Sequence, residues 1–446
     1  MRATDELSAR AVATAEPLAA LWGWLATWIA ADGGVNGPVV HRADLKRLFA
    51  THDTPWTQHA VIAGLLHLHR RSGNGYWLER AIRLGDAQCS RQEPDGRFRW
   101  AGHEDDRFSS LVSNALASRA LLDLAAAADR GQGERYLAAA ERNLEEYVVG
   151  CLYRPELGGF AVAQADWYAG RDRFVVNMNA VAVDALLELD RQRSTDRHAG
   201  LARTVGERIL SLETPDGPPY SDLEPALHIP LYTALGLRGV RALAELTGDP
   251  VWREVAQRAV AFLDRLEDAG TALWSHKLER GEVSRCPVFV AGGGMICNGL
   301  LDAAALTGAE PDVDDLAARL LRFQHRNGAI RNFAGYDGLG NGARRGHGRE
   351  CWEDVVPTPS WNAQAFHFLA RVLPPPQPPV AARPPRIVAR SPRFVYVESE
   401  RVSAVCAWRP VRSALLAVFP KRRRHALVVP APHAVARAIA RKLRLQ

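Results

Sequence analysis

Apolar positions along this chain fall into two alternating kinds of helical segment. One kind is amphipathic: "YWLERAIRLGDAQ", "RYLAAAERNLEEYV", "VWREVAQRAVAFLDRL" and "DVDDLAARLLRFQ" repeat apolar residues at three- and four-residue spacing with charge between them. The other kind is apolar nearly all round, as in "WTQHAVIAGLLHL", "SSLVSNALASRALL", "NMNAVAVDALLEL", "IPLYTALGLRGV", "MICNGLLDAAAL" and "SWNAQAFHFLARV". A helix apolar on every side is one covered on both sides. Six glycine-centred turns separate the segments, at Gly34, Gly96, Gly159, Gly217, Gly270 and Gly328, spaced by 62, 63, 58, 53 and 58 residues. A recurrence of that length marks a repeated unit, here a helical hairpin with an amphipathic outer and an apolar inner helix. Six such hairpins without a polar capping repeat close into a ring. The predicted class is therefore all-α, an (α/α)6 toroid over residues 14–373.

Aligned on a small or polar residue near their start, the inner helices place His59, Asn114, Asn179, Thr233, Asn298 and Asn362 at one equivalent position. Function seldom demands sixfold repetition. The repeat predicts an amide that bonds orphan backbone groups and knits the ring at its rim.

Composition changes the picture only at the C-terminus. Of 446 residues, 47% are apolar and 24% charged, which is ordinary for a soluble globular protein. Residues 374–385, "PPPQPPVAARPP", form a proline-rich linker that cannot continue a helix. Residues 386–446 hold fourteen Lys or Arg against Glu398 and Glu400, so this extension is strongly basic while the body is mildly acidic. Its "RFVYVESERVSAVCAW" predicts one or two strands, with the remainder a partly disordered tail. The closing "AVARAIARKLRL" beside "KRRRH" suits an anionic membrane surface. Aromatics do not interleave with these basic residues, which argues against nucleic acid. Six scattered cysteines give neither a disulfide framework nor a metal pair and suit a reducing compartment. The apolar run at residues 18–31 is too short to span a bilayer and lacks a basic leader, so it predicts a first helix rather than a signal peptide. A cytoplasmic body with a membrane-associating tail is the expectation.

The loops ahead of the inner helices are rich in functional groups, and helix N-termini there offer free amide donors to oxygen-rich ligands. "AGHEDDRFSS" supplies Asp105 and Asp106, "QADWYAGRDRF" supplies Trp167, Tyr168 and Arg173, and "PYSDLEPALHIPLY" supplies His228 and Tyr232. "GHGRECWEDVVPTPSW" adds Trp352, Glu353, Asp354 and Trp361, and "THDTPWTQH" adds Trp56 and His59. Aromatic rings cover the apolar faces of sugar rings while carboxylates bind hydroxyls or move protons. Asp106 opposite Glu353 or Asp354 is the expected pair for glycoside hydrolysis, which needs carboxyls about 5 to 9.5 Å apart. Arg173, Asn179, His228, Tyr168 and Tyr232 form a second set, able to neutralise a uronic carboxylate and abstract the α-proton. Each of these also has a plain structural role open to it, as a helix cap, a wall residue or packing between hairpins.

The six-hairpin pattern resembles the six-hairpin glycosidase-type (α/α)6 toroids, which implies a carbohydrate-active enzyme, a hydrolase or a lyase or epimerase, acting on an acidic or oxygen-rich glycan or glycan-lipid. "EDDRF" resembles the acidic motif of unsaturated glucuronyl hydrolases without the pattern that follows it there, and the resemblance implies a general-acid role for Asp106. Gln92 to Gly96 and Gln324 to Gly328 resemble the turns of terpene cyclases, and Asp312, Asp314 and Asp315 resemble the proton-donating DxDD of that class. Here the DxDD opens an outer helix, where acids serve the cap and the dipole. A terpenoid cyclase and a non-catalytic glycan- or protein-binding scaffold are the alternatives. Neither a metal site nor a cofactor is expected, since Cys297 and Cys351 lack the partners that zinc-binding toroids place at their core.

Overall fold

The computed structural model describes residues 14–40, 48–52, 55–98, 109–164, 172–284, 288–334 and 357–378 together with short strands beyond them. Among the described residues twelve α-helices alternate between two concentric rings. The outer ring consists of α1 (Glu16–Ala26), α3 (Gly75–Cys89), α5 (Arg130–Arg142), α7 (Ala199–Leu212), α9 (Val251–Arg265) and α11 (Val313–Leu321). The inner ring consists of α2 (Pro55–Ser72), α4 (Leu111–Ala125), α6 (Val176–Arg193), α8 (Pro230–Thr247), α10 (Gly293–Thr307) and α12 (Pro359–Val372). Each inner helix packs on the next, and α12 packs on α2, so the ring is closed rather than a superhelix. The run at residues 18–31 is spent in α1, whose Leu18, Leu21, Trp22 and Leu25 are buried. Among the described residues no helix is long and apolar enough to cross a membrane.

Local chemistry explains the boundaries. Asn74, Ser110, Asp129 and Asp312 cap α3, α4, α5 and α11 with their side-chain oxygens. The Asp312 cap accepts from the Asp315 amide while Asp315 pairs with Arg319, so the DxDD residues serve their own helix. Closure is built from repeats of one turn. Gln92 donates to the Gly96 carbonyl at 2.9 Å and to Ala139 of α5 at 2.8 Å. Gln324 does the same for Gly328, at 2.9 Å, and for Pro17 of α1, at 2.8 Å, which joins the sixth outer helix to the first. Gly96 has φ +81, and a Cβ there would stand 2.8 Å from the Arg142 carbonyl, so the turn needs glycine twice over. The left-handed residue is not always the expected one. It is Gly33 rather than Gly34 and Gly158 rather than Gly159, while in the fifth hairpin Ala272, at φ 54, takes the role expected of Gly270.

Inner helices approach closely because small residues line their seams: a Cβ on Gly299 would meet the Ala234 carbonyl at 2.5 Å. Large aromatics fill the space between rings. Trp22 of α1 stacks on Phe366 of α12 at 5.5 Å and meets Trp77 of α3 edge-on at 5.9 Å. Beyond the linker, strands Ile387–Arg390, Phe394–Glu398, Val402–Trp408, Ser413–Pro420 and Leu427–Pro432 pair in sequence order as an antiparallel meander. The expected strands around "RFVYVESERVSAVCAW" are two of these five. The closing basic segment lies outside the described residues.

Candidate functional site in the bore of the ring

The repeated amide resolves into two different positions. Asn114, Asn179 and Asn362 are each the fourth residue of their helix and make the same bonds. Asn179 Oδ1 accepts the Phe160 amide at 2.7 Å, and its Nδ2 donates to the Phe160 and Val175 carbonyls. Asn362 repeats this with Ile330 and Thr358, and Asn114 accepts Phe98 at 2.8 Å and donates to Ser110. The partners Phe98, Phe160 and Ile330 lie just past a turn glycine, so each Asn ties the inner helix to its own hairpin's turn. His59 and Asn298 do not share that position. They are the fifth and sixth residues of their helices, and at 3.6 residues per turn that rotates them by about 100° and 200° toward the ring axis.

The axis side of the inner helices also departs from the all-apolar expectation. It carries a polar stripe at helical spacing: His59 and His67 with Arg70 on α2, Arg119 and Asp123 on α4, Asp184 and Glu188 on α6, Arg238 and Arg241 on α8, Asn298 and Asp302 on α10, His367 and Arg371 on α12. The four-residue recurrence of charge inside helices otherwise built of Ala, Leu and Val was the legible signal for it. Most of these residues line one cavity of about 230 Å³ on the axis, room for a small polar molecule.

A ladder of levels follows from the 1.5 Å rise per residue. Nearest the helix N-termini is an aromatic collar. Trp56 and Trp361 meet edge-on at 5.3 Å, Phe289 and Phe333 each lie 6.1 Å from Trp361, and Tyr232 packs against the same cluster. Below it stand His59, Gln364 and Asn298, then an ionic level, then His67 and Arg371 with Arg70 exposed at the far end. At the ionic level Asp184 holds two guanidiniums, Arg119 at 2.9 Å and Arg238 at 2.7 Å. Burial would raise the Asp184 carboxyl, but the two arginines outweigh it and hold it low. Arg119 also meets Asp123 at 3.2 Å, and Arg241 meets Asp302 at 3.0 Å.

Three imidazoles share this bore. His59 and His367 stand perpendicular with centroids 6.0 Å apart, and His67 stacks on His367 at 5.5 Å. Burial first, then neighbouring arginines, holds His59 well below the usual imidazole value and brings His67 to about 3, while burial first, then His67, holds His367 low. His59 Nε2 lies 3.2 Å from Arg238 Nη1; arginine only donates, so that nitrogen accepts and the proton sits on Nδ1. His67 Nδ1 likewise faces Arg70 at 3.1 Å. His367 is the bore imidazole with no hydrogen bond among the described residues, and it lines the cavity half-buried.

Of the other residues named from the sequence, the structure brings Trp56, Trp361 and Tyr232 together in the collar and His59 into the bore. Arg173 lies over the Tyr220 ring and binds Glu224 at 2.9 Å, and Asn179 is used up by backbone. His228 is not with them: it is buried outside the bore against Phe262 of α9, 5.6 Å between rings. Asp105, Asp106, Trp167, Tyr168, Trp352, Glu353 and Asp354 lie outside the described residues. Among the described residues no group of three His, Cys, Asp or Glu is placed to hold a metal ion.

No protein-family model and no curated protein matches the sequence. Solved structures do. The cellobiose 2-epimerase of Bacillus thermoamylovorans B4167 superposes with a TM-score of 0.57 at 12% identity, over 78% of this chain and 96% of its own. A D-mannose isomerase superposes with a TM-score of 0.58 at 10% identity, covering 80% and 96%. An unsaturated glucuronyl hydrolase specific for heparin gives 0.56 at 13% identity, covering 80% and 96%. The chain therefore has the fold of the six-hairpin glycosidase-type toroids.

Proposed function

We propose that this protein is a carbohydrate-active enzyme of the epimerase or isomerase class, moving a proton on a small sugar held in the bore. The observation that carries the reading is His367, an unprotonated imidazole at the cavity wall with its nitrogens uncommitted among the described residues, flanked by two further neutral imidazoles and by guanidiniums. A base kept neutral by burial is competent to take a proton from carbon beside a carbonyl. The C–H electron pair becomes the C=C bond of an enediolate, and the carbonyl pair moves to oxygen, where Arg238 supplies the positive charge. If the intermediate turns about its neighbouring C–C bond, His367 returns the proton to the opposite face and gives the epimer. If the hydroxyl proton passes between the two oxygens and His367 returns its proton to the adjacent carbon, the aldose–ketose isomer results. Neither outcome needs a redox partner or cofactor. Two carbohydrate enzymes among the structural neighbours, an epimerase and an isomerase by name, support this class. The described bore favours it over hydrolysis, because Asp123, Asp184 and Asp302 are each paired with arginine.

The test is proton exchange. The full chain is incubated with a panel of aldoses and ketoses in deuterium oxide, and loss of the proton next to the carbonyl is followed by NMR. Wild type is expected to exchange it, and His367→Asn to lose about 100-fold or more of the rate while keeping its circular dichroism. Absence of exchange with every sugar, or full exchange by the variant, would overturn the reading. Release of reducing ends from a glycan, sensitive to Asp106→Asn, would instead select the carboxylate-pair mechanism with Glu353 or Asp354.

A further inference from the structure

The lower half of the bore holds positive charge that the protein itself leaves unanswered. Arg371 lines the cavity and donates to Asn298 Oδ1 at 2.8 Å. No carboxylate of the described residues lies within ion-pair distance of it, whereas Arg119, Arg238 and Arg241 each have one. Asp302, whose charge is felt by Arg371, is itself bound to Arg241 at 3.0 Å. Burial lowers the basicity of Arg371 first, and Arg241, Arg238 and Arg70 lower it further as like charges. Crowded guanidiniums of this kind are relieved by an anion.

Asn298 is the second, independent observation. It is 8% exposed, and its Nδ2 is buried without a hydrogen-bond partner. Its orientation is fixed, because arginine only donates and so the amide oxygen must face Arg371, leaving the NH2 group over. Leaving two buried amide donors unmet is costly and is expected only where something else meets them. The three rim asparagines make the contrast plain, since Asn179 and Asn362 have both donors met by backbone and Asn114 has one met by backbone and one by the Ser109 hydroxyl.

We propose that Arg371, reaching back along the bore to Asn298, forms with it and with Arg70 at the open end a binding site for an oxyanion of the phosphate or carboxylate class. Guanidinium and amide together present a fan of donors and no acceptor to a bound anion, which suits oxyanions and excludes cations. Arg371 stands one helical turn on from His367 along α12, and both line the same cavity. One molecule in this cavity can therefore meet both, as a monosaccharide does with a carbonyl end and a terminal phosphate or carboxylate. If the proton-transfer reading of this cavity holds, on which this last step rests, the substrate is an anionic sugar rather than a neutral one.

Calorimetric titration of the full chain tests the site without relying on turnover. The probes are inorganic phosphate, glucose 6-phosphate and glucose. Phosphate is expected to bind wild type and to bind Arg371→Gln at least tenfold more weakly. Asn298→Asp, which sets a carboxylate beside Arg371 and satisfies it, is expected to abolish anion binding while keeping the fold. Tighter binding of glucose 6-phosphate than of phosphate or glucose would support an anion carried on the sugar. Equal binding of phosphate and glucose 6-phosphate would support a free-anion site and overturn the anionic-substrate step. No anion binding, or binding unchanged in both folded variants, would overturn the site itself. Anion binding alongside failed proton exchange would leave the site standing and remove the catalytic reading.

Discussion

The rim and the bore of this ring use the same residue for opposite ends. At the rim, Asn114, Asn179 and Asn362 have donors and acceptors filled by the turn of their own hairpin, and the helix cannot move without breaking them. In the bore, Asn298 on α10 meets a single arginine and keeps two donors free. Nothing about asparagine itself separates the two. The difference is a shift of two residues along a helix, which turns the side chain from the hairpin wall to the axis. It teaches that saturation of hydrogen-bonding capacity, rather than residue type or repetition, distinguishes scaffold from site in this molecule.

The largest test of that contrast lies at the ionic level between the two regions. Asp184→Asn leaves Arg238 without its carboxylate while Arg119 keeps Asp123 and Glu188, and should cost about 3 kcal/mol in urea unfolding. A loss below about 1 kcal/mol would mean that the bore is wet enough to solvate the Arg238 guanidinium.

The next test sets rim against bore directly. Asn362→Ala strands the Ile330 amide and carbonyl in the interior, and about 2–4 kcal/mol of stability should go with them. Asn298→Ala removes one bond to Arg371, whose other donors face the cavity, and should cost less than about 1 kcal/mol. Equal costs in paired denaturant titrations would erase the distinction.

The smallest effect is one of pH. An imidazole that stays neutral in the folded bore takes up a proton near 6.5 once unfolded, so below that pH the unfolded chain binds more protons. Stability from this source is complete above about pH 6.5 and falls as the solution is acidified toward the folded value, about 3 for His67. Per imidazole the loss between pH 6.5 and 5.5 is on the order of 1 kcal/mol. His67→Gln should flatten the melting temperature against pH in that window, and an unchanged slope would mean that His67 is charged in the folded protein.

Much of the scaffold was legible from the residues. The two kinds of helix, the six glycine turns and the closed count of hairpins all come from periodicity, which is local and survives in one dimension. The aromatic collar was partly legible too, with Trp56, Trp361 and Tyr232 picked out as ring-bearing residues at helix starts. His59 was picked for a similar reason and does face the axis. The ionic bore left only a faint signal, charges three or four residues apart inside apolar helices, and only six helices brought side by side turn them into a network. His367 and Arg371 carry the functional and anion-binding proposals, and both were passed over as parts of a core helix.

What the chain determines by itself is therefore the set of rods and turns and their alternation, since capping, glycine conformations and apolar spacing act within a few residues. Which face of each rod looks inward was decided only by closure. Packing at small residues such as Gly299 fixes each helix's rotation, and a rotation of about 100° per residue separates a saturated rim amide from a donor left open to the bore.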